Sequence, residues 1–405
     1  MSFKLMKFLR WTLCVYTILG FGRAQSVYSE YKRFFMHYED RRSMPEKALN
    51  LVGLTSLEVG RSFALIAGVT RYPSLPSIER ELRPAEADLQ HLQTYLKDQE
   101  FFDEIVVLKN ADMTYNNLRY FLEVYFPERL KQSPRSRFLF GYSGHGITEG
   151  SAGYLLTSAA DSMQDKRNSI NLDSIRVLVD STVDAGHQIL VLINACYSGA
   201  FLRRSFGSNT YVPKYPGAHA ITAGGAKEQS WHDPRLGEGS VFFEKLFAGL
   251  DGQADIAPVN PGGTRGDGVV TVDELATYLK QEISISSDQH QNPMAGDISK
   301  NGSLGGFFFL NRQRQVTQGI VKHWNAKKLK PLGLNQLAES PRAAVLVNVL
   351  PSQHSQLMKD GRNEEFVARL LKAGFQAQLR GSYTLKLPGG TFSWGAISHP
   401  GRVVY

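Results

Sequence analysis

The chain has 405 residues, of which 42% are hydrophobic, so it can bury a substantial core as one large domain plus a small one, or as two medium domains. Its formal net charge is +8, but the basic residues are scattered and form neither a Lys/Arg block nor a basic and aromatic stripe. The composition therefore predicts a globular protein and argues against nucleic acid as a partner.

The first 24 residues predict a secretory signal peptide. Basic residues precede an apolar stretch at 11–22, and Gly22 and Ala24 are the small residues that a signal peptidase needs. The apolar stretch has 12 residues, whereas a helix that crosses a bilayer needs about 20. We therefore expect cleavage after Ala24 and export to the periplasm or the exterior, without stable membrane insertion. The alternative is an uncleaved N-terminal membrane anchor.

Cleavage after Ala24 would change both the charge and the cysteine content. It would remove four basic residues and no acidic residue, so the net charge would fall from +8 to +4. It would also remove Cys14 and leave Cys196 as the only cysteine, so the mature chain could form no internal disulfide. A lone exported thiol is open to oxidation. Cys196 is therefore either a buried small hydrophobic residue or a chemically active one.

Residues 25–60 are polar and aromatic, and we expect a leader that packs on the following domain or is partly disordered. From residue 62, short apolar runs alternate with amphipathic stretches. The apolar runs predict strands at 62–70, 104–110, 137–146, 187–196, 217–224 and 305–310. The amphipathic stretches predict helices at 84–99, 114–130, 171–186, 239–250 and 271–283. This alternation predicts an α/β domain over 61–312, with a mostly parallel sheet covered on both faces.

Residues 313–405 predict a small C-terminal α+β module. A basic helical stretch is followed by a strand at 343–351, a helix at 363–374 and two strands within 375–390. The module has neither a cysteine nor a cluster of metal ligands in its sequence, so the sequence indicates no role for it.

Two of the predicted strands end in reactive residues. The stretch GYSGHG ends the third strand with His145, and INACYSG ends the fourth with Cys196. In an open parallel sheet, ligands bind outside the carboxyl ends of the strands, so neighbouring strands would bring both side chains to one edge. An imidazole can activate a thiol as a nucleophile. Alone, each residue would more often be structural, but together they predict a catalytic pair.

Glycines flank both reactive residues. Gly144 and Gly146 surround His145, and Gly199 follows Cys196 by three positions, so the backbone can turn sharply and expose N–H groups. The N–H groups of Gly146 and Cys196 could stabilise the oxyanion of an acyl-transfer intermediate.

An apolar strand ending in His-Gly, followed by one ending in Ala-Cys, resembles the clan CD cysteine peptidases of family C14, in particular the caspase, metacaspase and bacterial caspase-like group. His145 precedes Cys196 by 51 positions, and in caspases this separation is about 50. The resemblance covers about residues 62–312 and implies a caspase-like three-layer αβα sandwich. It also implies that Cys196 attacks the scissile carbonyl, that His145 protonates the leaving amine and that Gly146 donates an oxyanion N–H, with no third catalytic residue required.

The resemblance also implies a substrate pocket at Asp88, Ser143 and Asn194. Metacaspases cleave after Arg or Lys because an acidic S1 pocket pairs with the substrate cation. The metacaspase branch has Asp where this chain has Asn194, so the pocket would hold one carboxylate instead of two. We expect cleavage after Arg, less after Lys and essentially none after Asp. The alternative is that Asp88 is an exposed acid on its helix.

Calcium is a further possibility raised by two stretches. Residues 266–275 resemble the end of an EF-hand loop. If Glu274 is placed at position 12 of such a loop, Gly263 and Arg265 fall at positions 1 and 3, where a calcium site needs carboxylates. We interpret this stretch as a turn with a helix cap. Some metacaspases need calcium at a separate acidic site, for which Asp161 and Asp165 are candidates. We predict no other metal or cofactor.

The leading hypothesis is an exported cysteine endopeptidase that acts on protein or peptide substrates. The first alternative is a catalytically silent caspase-like scaffold or binding protein, which the intact His145 and Cys196 pair disfavours. The second is an α/β-hydrolase with a cysteine nucleophile, but residues 194–198 lack the glycines of its Gly-x-Cys-x-Gly turn. We also expect self-cleavage in the loop 201–217, where caspase relatives carry a processing loop.

Overall fold

The computed structural model describes residues 30–52, 54–202, 214–225, 228, 238–256 and 266–311, together with the backbones of five short strands between residues 376 and 404. Internal contacts divide the chain into two compact units, 1–314 and 315–405. The predicted signal peptide at 1–24 and most of the predicted processing loop at 201–217 lie outside the described residues.

The described part of the first unit contains twelve strands and eight α-helices. The strands are β1 (Phe35–Tyr38), β2 (Ser62–Gly68), β3 (Glu104–Lys109), β4 (Arg137–Ser143), β5 (Gly146–Glu149), β6 (Ala152–Leu156), β7 (Ser169–Asn171), β8 (Gln188–Asn194), β9 (Gly217–Thr222), β10 (Val269–Thr271), β11 (Met294–Asp297) and β12 (Phe308–Leu310). The helices are α1 (Ser43–Val52), α2 (Ser77–Arg80), α3 (Arg83–Asp98), α4 (Tyr115–Arg119), α5 (Phe126–Lys131), α6 (Leu172–Ala185), α7 (Val241–Ala248) and α8 (Val272–Ser286).

Seven strands form the central sheet, in the order β1-β3-β2-β4-β8-β9-β11. The five inner strands are parallel, and the two edge strands are antiparallel to their neighbours. Helices α4 to α6 pack on one face and α3, α7 and α8 on the other. Side chains alternate between the two cores along each strand, so Phe63 and Leu65 of β2 face one core while Ala64 and Ile66 face the other. The predicted three-layer αβα sandwich with a mostly parallel sheet is therefore confirmed.

Several local features differ from the sequence prediction. The predicted strand at 305–310 shortens to β12, which pairs antiparallel with β10 in a separate ladder and does not extend the central sheet. The sequence analysis predicted neither the edge strands β1 and β11 nor the short strands β5, β6, β7 and β10. The helix predicted at 114–130 is interrupted by a π-helical segment, Tyr120–Tyr125, just before Pro127. Proline has no N–H to donate to the preceding turn, which explains the interruption.

Part of the predicted leader packs on the first unit. Strand β1 pairs with β3, Phe34 is buried in the core, and the ring of Tyr31 stacks on that of Tyr120 with centroids 3.7 Å apart. Among the helices in the described stretches, none combines the length and the apolar character needed to span a membrane.

The described strands of the second unit are β13 (Gln376–Gln378), β14 (Thr384–Leu387), β15 (Gly390–Ser393), β16 (Ala396–His399) and β17 (Arg402–Val404). β14 and β15 form an antiparallel pair, while β13, β16 and β17 form a three-stranded antiparallel sheet. The strand predicted at 343–351 and the helix predicted at 363–374 lie outside the described residues.

Candidate active site

The ends of two adjacent parallel strands bring His145 and Cys196 to the same edge of the sheet. Ser143, the last residue of β4, is opposite Asn194, the last residue of β8. The backbone N–H of Gly144 donates to the carbonyl of Asn194 at 3.2 Å, so the pairing continues one step beyond the strands. His145 and Cys196 each lie two positions beyond the last residue of their strand, so the predicted strands at 137–146 and 187–196 extended too far at their carboxyl ends.

Gly146 lies directly against the backbone of Cys196. A Cβ atom at Gly146 would be 2.2 Å from the carbonyl oxygen of Cys196 and 3.1 Å from the Cβ of Ala195. Only glycine permits this approach without displacing the neighbouring chain. The two backbones that carry the predicted oxyanion donors, Gly146 and Cys196, are therefore in contact.

The imidazole of His145 is half-buried and hydrogen-bonded to a backbone carbonyl. Its Nε2 is 3.2 Å from the carbonyl oxygen of Glu79, which can only accept. Nε2 therefore carries the hydrogen, and Nδ1 is the basic nitrogen. Burial lowers the pKa of His145, and the bond to Glu79 partly opposes this shift. The imidazole is accordingly neutral near pH 7 and available as a base.

Cys196 carries a half-buried thiol outside any disulfide. The next residue, Tyr197, has a φ of +61°, in the left-handed region, and begins a short 3₁₀ turn over Ser198–Phe201. Its N–H donates to the carbonyl oxygen of Glu228 at 2.8 Å. A non-glycine residue in this conformation stores strain, which is common next to functional side chains. Partial exposure also argues against the interpretation of Cys196 as an inert core residue.

The three predicted pocket residues form one hydrogen-bonded cluster. Asp88 accepts from the Ser143 hydroxyl at 2.7 Å and from the Asn194 amide at 3.0 Å, both on Oδ2. The Asn194 amide also lies 3.1 Å from the Ser143 hydroxyl. Oδ1 of Asp88 accepts from the backbone N–H of Ser240 at 2.8 Å. Asp88 is only 1% exposed, so the alternative of an exposed helix acid is wrong.

Burial raises the pKa of Asp88 to about 6, against the opposing effect of its hydrogen bonds to Ser143, Ser240 and Asn194. These donors are all neutral. The carboxylate is therefore mostly ionised at neutral pH but would gain from a cationic partner, because an opposite charge favours the ionised form. Asp88 therefore contacts the last residue of each strand, Ser143 of β4 and Asn194 of β8.

A sequence model of the caspase domain, Peptidase_C14, matches residues 61–297. The chain belongs to the caspase-domain family of cysteine peptidases. Caspase-1 from Spodoptera frugiperda is 16% identical, with a TM-score of 0.40, over 61% of this chain and 90% of its own. Protein GSU0716 from Geobacter sulfurreducens is 11% identical, with a TM-score of 0.36, over 58% of this chain and 93% of its own. A comparison with curated proteins found no match.

Sequence reasoning missed three contacts of this caspase domain. The Tyr72 hydroxyl and the Glu79 carbonyl touch His145, and the Ser240 N–H touches Asp88. The Glu79 contact uses a backbone carbonyl, which every residue type has, so no sequence signal marks it. Ser240 had a detectable signal, since it is the N-cap of α7 and stands just before an apolar helical run.

The caspase domain organises its other acidic stretches by local hydrogen bonds. Thr271 and Glu274 form a capping box at the start of α8, which confirms the predicted helix cap. Asp165 accepts hydrogen bonds from its own loop, from the N–H groups of Asp161, Arg167 and Asn168 and from the Asn168 side chain. Within the described ranges, no group of three or more His, Cys, Asp or Glu residues is arranged to hold a metal ion.

Proposed function

We propose that the chain is a cysteine endopeptidase in which His145 and Cys196 form the catalytic dyad. The observation that carries this proposal is the contact of Gly146 with the Cys196 carbonyl oxygen at the ends of two paired strands. The contact supports the dyad because it joins the two predicted oxyanion donors and places the residue after His145 against the backbone of Cys196. Family membership supplies the general class of chemistry.

In the first step, Nδ1 of His145 accepts the thiol proton, and Cys196 Sγ forms a bond to the scissile carbonyl carbon. The N–H groups of Gly146 and Cys196 stabilise the resulting oxyanion. When the C–N bond breaks, the imidazolium gives its proton to the leaving amine and an acyl thioester remains. A water molecule then attacks this thioester, His145 takes its proton, and the thiol and the free carboxylic acid are regenerated.

The same proposal assigns Asp88, Ser143 and Asn194 to the S1 pocket. One buried carboxylate flanked by a hydroxyl and an amide suits Arg better than Lys. A planar guanidinium can bond the carboxylate with two N–H groups and use others on the neutral acceptors, whereas an ammonium has three donors and a more strongly held water shell. Cleavage is therefore expected after Arg, less after Lys and essentially not after Asp.

Export is part of the proposal. The basic residues and the apolar stretch before Ala24 support a cleaved signal peptide. N-terminal sequencing of the protein isolated from cells tests this point. A start at Gln25 is expected, and a retained N-terminus in the membrane fraction would contradict it.

Profiling of the purified chain on a peptide library, with and without calcium, tests the peptidase assignment. The expected result is cleavage after Arg that is lost in Cys196→Ala and His145→Ala. A preference for acidic or apolar residues would contradict the S1 assignment. If the wild-type protein cleaves no peptide, the peptidase assignment is contradicted and the catalytically silent scaffold is favoured.

A further inference from the structure

The loop between β2 and α3 touches His145 at two points. The backbone N–H of His145 donates to the Tyr72 hydroxyl oxygen at 2.8 Å. On the other side of the residue, the imidazole Nε2 meets the carbonyl oxygen of Glu79 at 3.2 Å. One loop therefore holds both the main chain and the side chain of the proposed base.

Hydrogen bonds across the loop fix the spacing between these two contacts. The N–H of Tyr72 donates to the carbonyl of Arg80 at 2.8 Å, and that of Leu82 to the carbonyl of Thr70 at 2.9 Å. The side-chain oxygen of Asn110 accepts from the N–H of Thr70 at 2.8 Å and ties the loop to the end of β3. These hydrogen bonds therefore hold Tyr72 and Glu79 at fixed positions relative to each other.

The buried side chain of Tyr72 packs against the imidazole of His145. Tyr72 is fully buried, and its ring centroid lies 4.7 Å from that of the imidazole. A Cβ atom at Gly144 would be 3.2 Å from the Tyr72 hydroxyl and 2.4 Å from that of Tyr142, so both phenols crowd the backbone just before the histidine. Burial raises the pKa of Tyr72, and the hydroxyl therefore stays neutral and can accept the His145 N–H.

We propose that Tyr72 is a positioning residue for the dyad, since its hydroxyl holds the His145 main chain and its ring supports the imidazole. This inference rests on the proposed function and deepens it. With Nε2 held on Glu79, the basic Nδ1 keeps one orientation for proton exchange with Cys196. Loss of the hydroxyl would leave the His145 N–H without this acceptor, and the chain at His145 would shift to satisfy it.

The test is Tyr72→Phe, which removes only the hydroxyl, with Tyr95→Phe as the matched control. Tyr95 is also buried and its hydroxyl bonds a backbone group, the Leu250 carbonyl, but it packs on the opposite face of the sheet. Displacement of a catalytic group by about 1 Å can cost about a hundredfold in rate. We expect kcat of Tyr72→Phe to fall on the order of tenfold or more, with KM unchanged within about twofold.

The pH dependence of Cys196 alkylation by iodoacetamide gives a second readout that does not require turnover. If the imidazole is misplaced, the midpoint of alkylation should rise toward the value of an ordinary thiol, about 8.5. Tyr95→Phe should leave kcat and the midpoint as in wild type.

Three results would overturn the role of Tyr72. They are unchanged kcat and midpoint in Tyr72→Phe, equal losses in Tyr95→Phe, and a Tyr72→Phe protein that no longer folds, which would make the hydroxyl a structural group. If wild-type protein cleaves no peptide, the proposed function fails, but the alkylation midpoints still decide whether Tyr72 positions His145.

Discussion

At the scale of single residues, we expect the Asp88 carboxylate of the proposed S1 pocket to affect stability and specificity in opposite directions. Burial raises its pKa to about 6 from an ordinary value of 3.8. Between these two values the folded chain binds a proton that the unfolded chain has lost, so the contribution of Asp88 to the free energy of unfolding decreases as the pH rises through this window. The charge is therefore retained at a cost in stability, as is common for groups that bind substrate.

The substitution Asp88→Asn separates the charge from the shape of the side chain. At pH 7.5 we expect an unfolding free energy equal to or greater than that of wild type, by up to about 3 kcal/mol, because the buried charge is gone. We also expect kcat/KM for Arg peptides to fall on the order of a hundredfold or more. Thermal unfolding and peptide hydrolysis measure the two effects. A less stable variant that still cleaves after Arg would contradict this account of Asp88.

The same pKa predicts a pH profile. In the proposed S1 pocket a substrate Arg pairs with the ionised Asp88 carboxylate, so kcat/KM for Arg peptides should rise with pH through about 6, the pKa of Asp88. Burial lowers the pKa of His145 below its ordinary value, so its deprotonation also adds to activity as the pH rises, and the comparison with Asp88→Asn separates the two groups. Initial rates at low substrate concentration, measured from pH 4.5 to 8, test the profile. A rising limb that persists unchanged in Asp88→Asn would assign it to another group.

At the scale of elements, the edge strand β1 belongs to the fold of the caspase domain. The preceding Phe34 is 4% exposed within the core, whereas Met36 of β1 is 49% exposed. We expect Phe34→Ala to lower the free energy of unfolding by about 3 kcal/mol or more, through loss of buried surface and a residual cavity. The matched Met36→Ala should change it by less than about 0.5 kcal/mol. Chemical denaturation measures both changes in the free energy of unfolding. If both substitutions have equally small effects, residues 30–38 are a leader that the fold does not need.

The inner elements could be predicted from the sequence because they bury continuous apolar runs. Strands β2, β4 and β8 are buried at every position, and the runs 62–70, 137–146 and 187–196 mark them clearly. The edge strands β1 and β11 have only four residues each and are partly exposed, so they are too short for an apolar run or an alternation to identify them from the sequence. The pairing of β12 with β10 depends on distant parts of the chain, which local pattern does not encode.

The sequence could predict the parts of the candidate site that are defined by side-chain chemistry, but not the parts that are defined by backbone atoms. His145, Cys196, Asp88, Ser143 and Asn194 carry distinctive groups at strand ends or match positions of a known family. Every residue type has the carbonyl that Glu79 uses, and every type except proline has the N–H that Ser240 uses, so the folded backbone is needed to reveal these two contacts. Tyr72 has a distinctive side chain, but its contact with His145 depends on the path of the loop.

At the scale of the whole molecule, the match to the caspase domain covers residues 61–297, all within the first unit. The second unit is described by five short strands. The central claim of the account is that this first unit carries a His145–Cys196 dyad.

That claim is tested most directly by a covalent probe of the nucleophile. A peptidyl-Arg acyloxymethyl ketone forms a thioether with an activated cysteine and expels a carboxylate, and peptide mass spectrometry then locates the adduct. The account predicts one adduct per chain, on Cys196, none in Cys196→Ala, and labelling slowed on the order of a hundredfold or more in His145→Ala. Labelling of another residue, or labelling of Cys196 at the same rate without His145, would contradict the dyad.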